Sequence, residues 1–308
     1  MITEAIIKTL NYHSKFNYSL NFPELHRFLV INRPVSSNEV KPELVKLVKK
    51  KKIIASGGFY YLSNLPNYPN FPNLPNIRLI RRQSSRPKIQ IALRAAKLIS
   101  LVPFVRLVCV TGSLAMENSG PDDDIDLMIV TSQNRLWLTR PLVVLLISLF
   151  FKRRAPVFKG PALPRQGRAL SNSTANFANA ICLNLWLDAS ALAMPPHRRD
   201  LRTAHELAQM KPLVNKNKTY ERMMLINSWA KKYLANVWND DSLKQWNTRT
   251  LKHQNRIVLM FSCFNVLMKL NSFLFRLQYA YMKPKITTEE VTLHSAFFHP
   301  KYHENTRT

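Results

Sequence analysis

The sequence predicts an α+β chain of several domains: a small helical module closed by a hairpin, a mixed sheet with helices, and an all-α C-terminal region. Three observations predict it. Within residues 1–63, apolar residues at helical spacing precede Ile53–Leu62, a run interrupted by Gly57-Gly58. Val105–Val110, Ile125–Val130 and Ile181–Leu187 are short runs of mainly apolar, often branched residues and read as strands. Beyond Asp188 the apolar spacing is helical, and no glycine follows Gly167. At 308 residues, 46% of them hydrophobic, the chain can build two or three cored domains.

In the first module, Thr3–Tyr12 reads as a helix with Ile6, Ile7 and Leu10 inward, and Asn21 reads as the N-cap of a second helix through Leu25, Phe28 and Leu29. A third helix carries Val40, Leu44, Leu47 and Val48. Pro42 predicts that it starts near that residue or is irregular there. Gly57-Gly58 suits a tight hairpin turn. Three helices followed by a hairpin resemble a winged helix-turn-helix, and Lys46, Lys49, Lys50, Lys51 and Lys52 would then meet nucleic-acid phosphates. The alternative is a protein-docking module with a solvated lysine run. Residues 64–86 read as a linker. Pro-Asn recurs every third residue over Leu65–Asn76, the period of polyproline II, which gives a semi-rigid spacer of about 35 Å. Arg78, Arg81, Arg82 and Arg86 follow as a basic collar.

The central domain, residues 87–190, opens with a helix through Ile91, Leu93, Ala95, Ala96 and Leu98. Gly112-Ser113 closes its first strand and can open a short helix whose N–H groups face a phosphate. Asp124 and Asp126 flank Ile125 at the start of the second strand. Side chains alternate along a strand, so both carboxylates share one face, about 7 Å apart at Cα. Neighbouring carboxylates repel, and a fold tolerates that when a cation sits between them. Oxygen donors of high charge suit Mg²⁺ or Mn²⁺.

Strand, Gly-Ser turn and Asp-x-Asp on the next strand resemble the active-site signature of the DNA polymerase beta-like nucleotidyltransferase superfamily, over about Lys88 to Asp188. The resemblance implies a palm-like mixed sheet, in which Gly112 and Ser113 hold the triphosphate of an NTP and Asp124 and Asp126 bind the metals. The family usually adds a third carboxylate on the following strand, where this chain has Asn184. An amide can coordinate a metal but cannot take a proton. Asp188 and Glu206 are the substitutes to consider.

A helix over about Arg135–Phe151 comes next, then a basic loop, Lys152–Ala178, with Lys159, Arg165 and Arg168. Residues 191–285 read as a helical domain, with helical spacing over Leu201–Met210 and Tyr220–Val237. In Ile257–Tyr281 a polar stripe of Ser262, Asn265, Lys269, Ser272 and Arg276 predicts a mostly buried helix. Residues 286–308, with His294, His299 and His303, read as a loose tail.

The net charge of +27 favours a polyanionic partner: nucleic acid, an anionic lipid surface or a nucleotide. Cys109, Cys182 and Cys263 lie among apolar neighbours without metal-ligand spacing, and together with the absence of a leader pattern they predict a cytoplasmic protein. Pro141–Phe151 is too short to span a bilayer and Lys269 interrupts the long helix. No integral membrane insertion is therefore expected, and peripheral contact is the weaker reading. The leading expectation is transfer of a nucleoside monophosphate from NTP to an acceptor hydroxyl. The rivals are a nucleic-acid-binding regulator on an impaired nucleotide-binding fold and a small-molecule or protein-modifying transferase.

Overall fold

The structure, a computed structural model, describes residues 2–63, 74–154, 178–239, 261–286 and 289–298. In the N-terminal module α1 (Ile2–Ser14) buries Ile6 and Leu10. A two-residue strand, β1 (Leu20–Asn21), leads into α2 (Phe22–Arg27). Asn21 is the expected cap: its side chain accepts from Glu24 N at 2.8 Å, while Glu24 accepts from Asn21 N at 3.1 Å. The helix α3 (Ser37–Lys49) starts five residues before Pro42. The reason is a second capping box, Ser36 with Glu39, which outweighs the one backbone bond that Pro42 forgoes. Strands β2 (Ile53–Ser56) and β3 (Phe59–Leu62) form the hairpin. Gly57 and Gly58, at φ +57° and +81°, make the two-residue turn that needs positive φ. β1 joins them in an antiparallel sheet of order β1-β3-β2.

The expected linker and collar need correction. Residues 64–73 lie outside the described residues, but Leu74, Pro75 and Asn76 already form the first turn of α4 (Leu74–Ser100). Arg78 on α4 is buried. It pairs with Glu24 at 2.8 Å, donates to the Glu117 carbonyl at 2.9 Å and stacks 4.1 Å over the Tyr18 ring. Buried arginine needs such partners, so this one clamps the module to the chain instead of rimming a spacer. Asn236 adds two bonds, accepting from Val35 N at 2.8 Å and donating to the His26 carbonyl at 2.6 Å.

The main sheet has the order β7 (Lys211–Asn215), β4 (Val105–Val110), β5 (Ile125–Thr131), β6 (Ile181–Asp188), β9 (Ser295–Phe297), β8 (Glu290–Val291). β4 and β5 are antiparallel. β6 runs parallel to β5, and α6 (Leu136–Phe150) lies in the crossover between them. The fold is thus α+β, a mixed sheet plus a small antiparallel one. Val108, Val110, Ile125, Leu127 and Ile129 face α4, α6 and α10 (Phe261–Met282). Leu107, Cys109, Met128 and Val130 face α7 (Leu201–Gln209), α8 (Thr219–Ile226), α9 (Ala235–Trp238) and the module's Phe28 and Val30. Both faces of the sheet are covered, which is why its strands read as continuous apolar runs.

The C-terminal region is not all helical. β7 (Lys211–Asn215) pairs with β4, and β8 (Glu290–Val291) and β9 (Ser295–Phe297) extend the sheet past β6. Pro212 obscures β7 in the sequence, and an edge strand is where proline is tolerated. The tail is anchored at least to Phe298, since His294 Nδ1 lies 2.8 Å from buried Asp188; residues 299–308, with His299 and His303, are outside the described residues. Nor is α10 mostly buried: Val266, Leu270, Phe273, Leu277 and Tyr281 are exposed while Asn271 is buried. Among the described residues no helix is long and apolar enough to cross a membrane.

Candidate active site

β5 is buried at every position except Asp126, which is half-buried, and half-buried Asp124 precedes it. The β4–α5 turn closes over Asp126. Gly112 opens the single-turn α5 (Gly112–Ala115) at φ +64°, and a Cβ there would stand 2.5 Å from Asp126 Oδ2. Only glycine satisfies both the backbone angle and the carboxylate. Thr111 N donates to the Asp126 carbonyl at 3.0 Å, and Ser113 Oγ lies 3.4 Å from Asp123 Oδ2. Asp123 also accepts from Gly120 N at 2.8 Å, which shapes the acidic loop.

Behind that loop sits Lys88, buried on α4, whose ammonium donates to the carbonyls of Asp123 and of Pro121, the latter at 3.0 Å. Burial lowers its pKa and the nearby aspartates oppose that shift. Lys88 is not among the residues the sequence points to, because it follows Arg78 and Ser85 on the same helix face and precedes Ala92, Ala95 and Ala96 without a distinguishing pattern.

At the third position the structure brings two residues together. Cys182 is the cross-strand partner of Asp126, which corrects its expected apolar setting. The ligand atoms of Asp124, Asp126 and Cys182 all lie within 4.8 Å of one another. Burial, then Asp126 and Asp124, push the thiol pKa up, and the protonated thiol hydrogen-bonds Asp126. Asn184 falls at a bulge, where Leu127 pairs with Leu183 but Met128 with Leu185. Its amide donates to Asp126 Oδ1 at 2.9 Å, and its own carbonyl oxygen is buried without a hydrogen-bond partner.

The substitutes do not arrive. Asp188 pairs in register with Thr131, at the far end of β6, where it accepts from Asn134 N, Ser190 N and His294. Glu206 on α7 is exposed and pairs with Arg202 at 3.0 Å. A cation does stand at Asp124: Arg154 Nη1 lies 2.6 Å from its Oδ2, an ion pair that raises the guanidinium pKa. Lys159, Arg165 and Arg168 are outside the described residues. Lys46, Lys49, Lys50, Lys51 and Lys52 are all exposed, at the end of α3 and in the turn before β2; Lys46 pairs with Glu43 at 2.6 Å.

Asp124, Asp126 and Cys182 form a group that could hold a metal ion, and Asn184, bonded to Asp126, carries a buried carbonyl oxygen without a hydrogen-bond partner. Comparison with family models, with curated proteins and with solved structures returns no match.

Proposed function

We propose that the protein is a metal-dependent nucleotidyltransferase that moves a nucleoside monophosphate from an NTP to an acceptor hydroxyl and releases pyrophosphate. The observation that carries the reading is the seating of the Gly112 turn directly on the Asp126 carboxylate, beside Asp124. In this reading the sheet is a palm-like one, and the Gly112-Ser113 backbone with the Ser113 hydroxyl takes the triphosphate. Asp124 and Asp126 hold Mg²⁺ or Mn²⁺, with Cys182 and Asn184 beside them. The bound metal would neutralise the triphosphate and stabilise the attacking and leaving oxygens. Lys88 keeps the loop before Asp124 in place. The N-terminal module is a winged helix whose exposed lysines contact nucleic acid.

Two observations favour a second reading, a nucleic-acid-binding regulator that binds nucleotide without turnover. Arg154 already neutralises Asp124, and neither Asn184 nor a protonated Cys182 can act as a base. Incubation with labelled NTPs, Mg²⁺ or Mn²⁺, and RNA, DNA or protein separates the two. Label transfer that disappears in Asp124→Asn supports the enzyme. Metal-dependent nucleotide binding without transfer supports the regulator. A protein whose Tm ignores metal and NTP together refutes both.

A further inference from the structure

We propose that α6 and α10 form a docking face for an anionic lipid surface, on which the protein rests without crossing the bilayer. The two helices pack on one another through the Trp137 and Phe275 rings, 5.1 Å apart, and through polar atoms. Asn271 Oδ1 accepts from Trp137 N at 2.9 Å and from Leu138 N at 3.2 Å, and Gln278 Nε2 donates to the Trp137 carbonyl at 2.9 Å. With polar groups turned inward, apolar ones are left outside. Val266, Leu270, Phe273, Leu277 and Tyr281 recur at helical spacing along one stripe of α10, each between 40% and 68% exposed. On α6, Leu142, Leu145, Leu149 and Phe150 are between 44% and 66% exposed. A surface of this kind marks an interaction site.

Charge identifies the occupant. No Asp or Glu occurs between Asp126 and Asp188, or between Asp241 and Glu289, whereas each stretch holds eight Lys or Arg. Lys269 and Arg276, two turns apart, flank the stripe of α10, and Lys152 and Lys283 follow the ends of the two helices; all four are exposed. An apolar stripe flanked by cations is the pattern of a helix lying in a membrane interface, where cations near anionic headgroups strengthen the attachment. A second copy would bring two acid-free, cationic faces together. Nucleic acid offers no apolar surface for leucine and valine. Among the described residues neither helix is long and apolar enough to span.

The test is sedimentation of the full chain with vesicles of phosphatidylcholine alone or with about 30% phosphatidylserine, at low and high salt. Binding to the anionic vesicles is expected, weakened by salt. Phe273→Glu with Leu277→Glu should weaken it about tenfold or more, and so should Leu145→Glu with Leu149→Glu, which serves if the first pair misfolds. Lys269→Ala with Arg276→Ala should weaken binding to the anionic vesicles. No binding, or binding that both glutamate pairs leave intact, overturns the proposal. So does a wild-type dimer that becomes monomeric in those variants, which would assign the face to a second copy.

Discussion

Lowering the pH should loosen the N-terminal module from the main body, and the size of the effect follows from one buried imidazole. His13, at the end of α1, is 2% exposed; its Nδ1 lies 2.9 Å from the Thr9 carbonyl and its Nε2 has no partner. Its ring meets His205 of α7 edge-on at 5.0 Å, and Tyr12 stacks on His205 at 4.0 Å, so the pair lies where module and body meet. Burial pushes the His13 pKa down to about 4, and the Thr9 carbonyl only partly opposes it. Burial and the neighbouring His13 lower His205 as well. Tyr18 and Phe28 complete the surroundings, with Glu206, Arg202 and Asp200 acting on the Tyr12 side. Between pH 6.5 and 4 the unfolded chain holds a proton at His13 that the folded chain does not, so stability falls as pH falls through that window. From pH 7 to pH 5 the loss from His13 alone is about 2 kcal/mol, with His205 adding in the same direction. Urea unfolding at the two pH values, for wild type and His13→Phe, measures it. The variant should lose the share of that pH dependence due to His13 and keep the share due to buried His205, and the interval lies above the range where ordinary carboxylates titrate. Equal losses in the two proteins would refute the argument.

The other expectations concern the site and the module. Gly112→Ala should destabilise the fold by about 2 kcal/mol or more, because φ +64° disfavours a side chain and the new methyl meets Asp126; a loss under about 0.5 kcal/mol in urea unfolding contradicts that packing. Arg154→Ala should tighten Mn²⁺ binding by about tenfold in titration calorimetry, because the guanidinium competes for Asp124; unchanged affinity would place the metal elsewhere. If the lysines at and after the end of α3 meet phosphates, each of Lys49–Lys52 changed to alanine should lower the slope of log affinity against log salt by about one; an unchanged slope moves the contact away from this segment.

What the sequence discloses about this protein follows from where burial is complete. β4, β5 and β6 were legible as strands because a sheet covered on both faces selects apolar residues at nearly every position, and half-buried Asp126 stands out against that background. The N-cap at Asn21 and the glycine turn of the hairpin are local chemistry, so they were legible too. The short strands β7, β8 and β9 were not, since two to five residues carry no period, and β7 also holds Pro212. The third site position was hidden for a different reason. Parity along β6 holds only until the bulge at Asn184, after which Trp186 turns to the α6 side and Leu187 to the α7 side. Asp188, matched to Asn184 by counting, therefore has no claim on the site, and Cys182 gains one through its pairing with Asp126. The repulsion between Asp124 and Asp126 did imply a cation, but composition cannot choose between a metal and a guanidinium. Arg154 reaches Asp124 from the segment after α6, and that contact exists only once β6 lies parallel to β5. Asp126 remains bonded to the amide of Asn184, whose own buried carbonyl lacks a hydrogen-bond partner, and an unmet acceptor of that kind is set by the bulge rather than by any residue pattern.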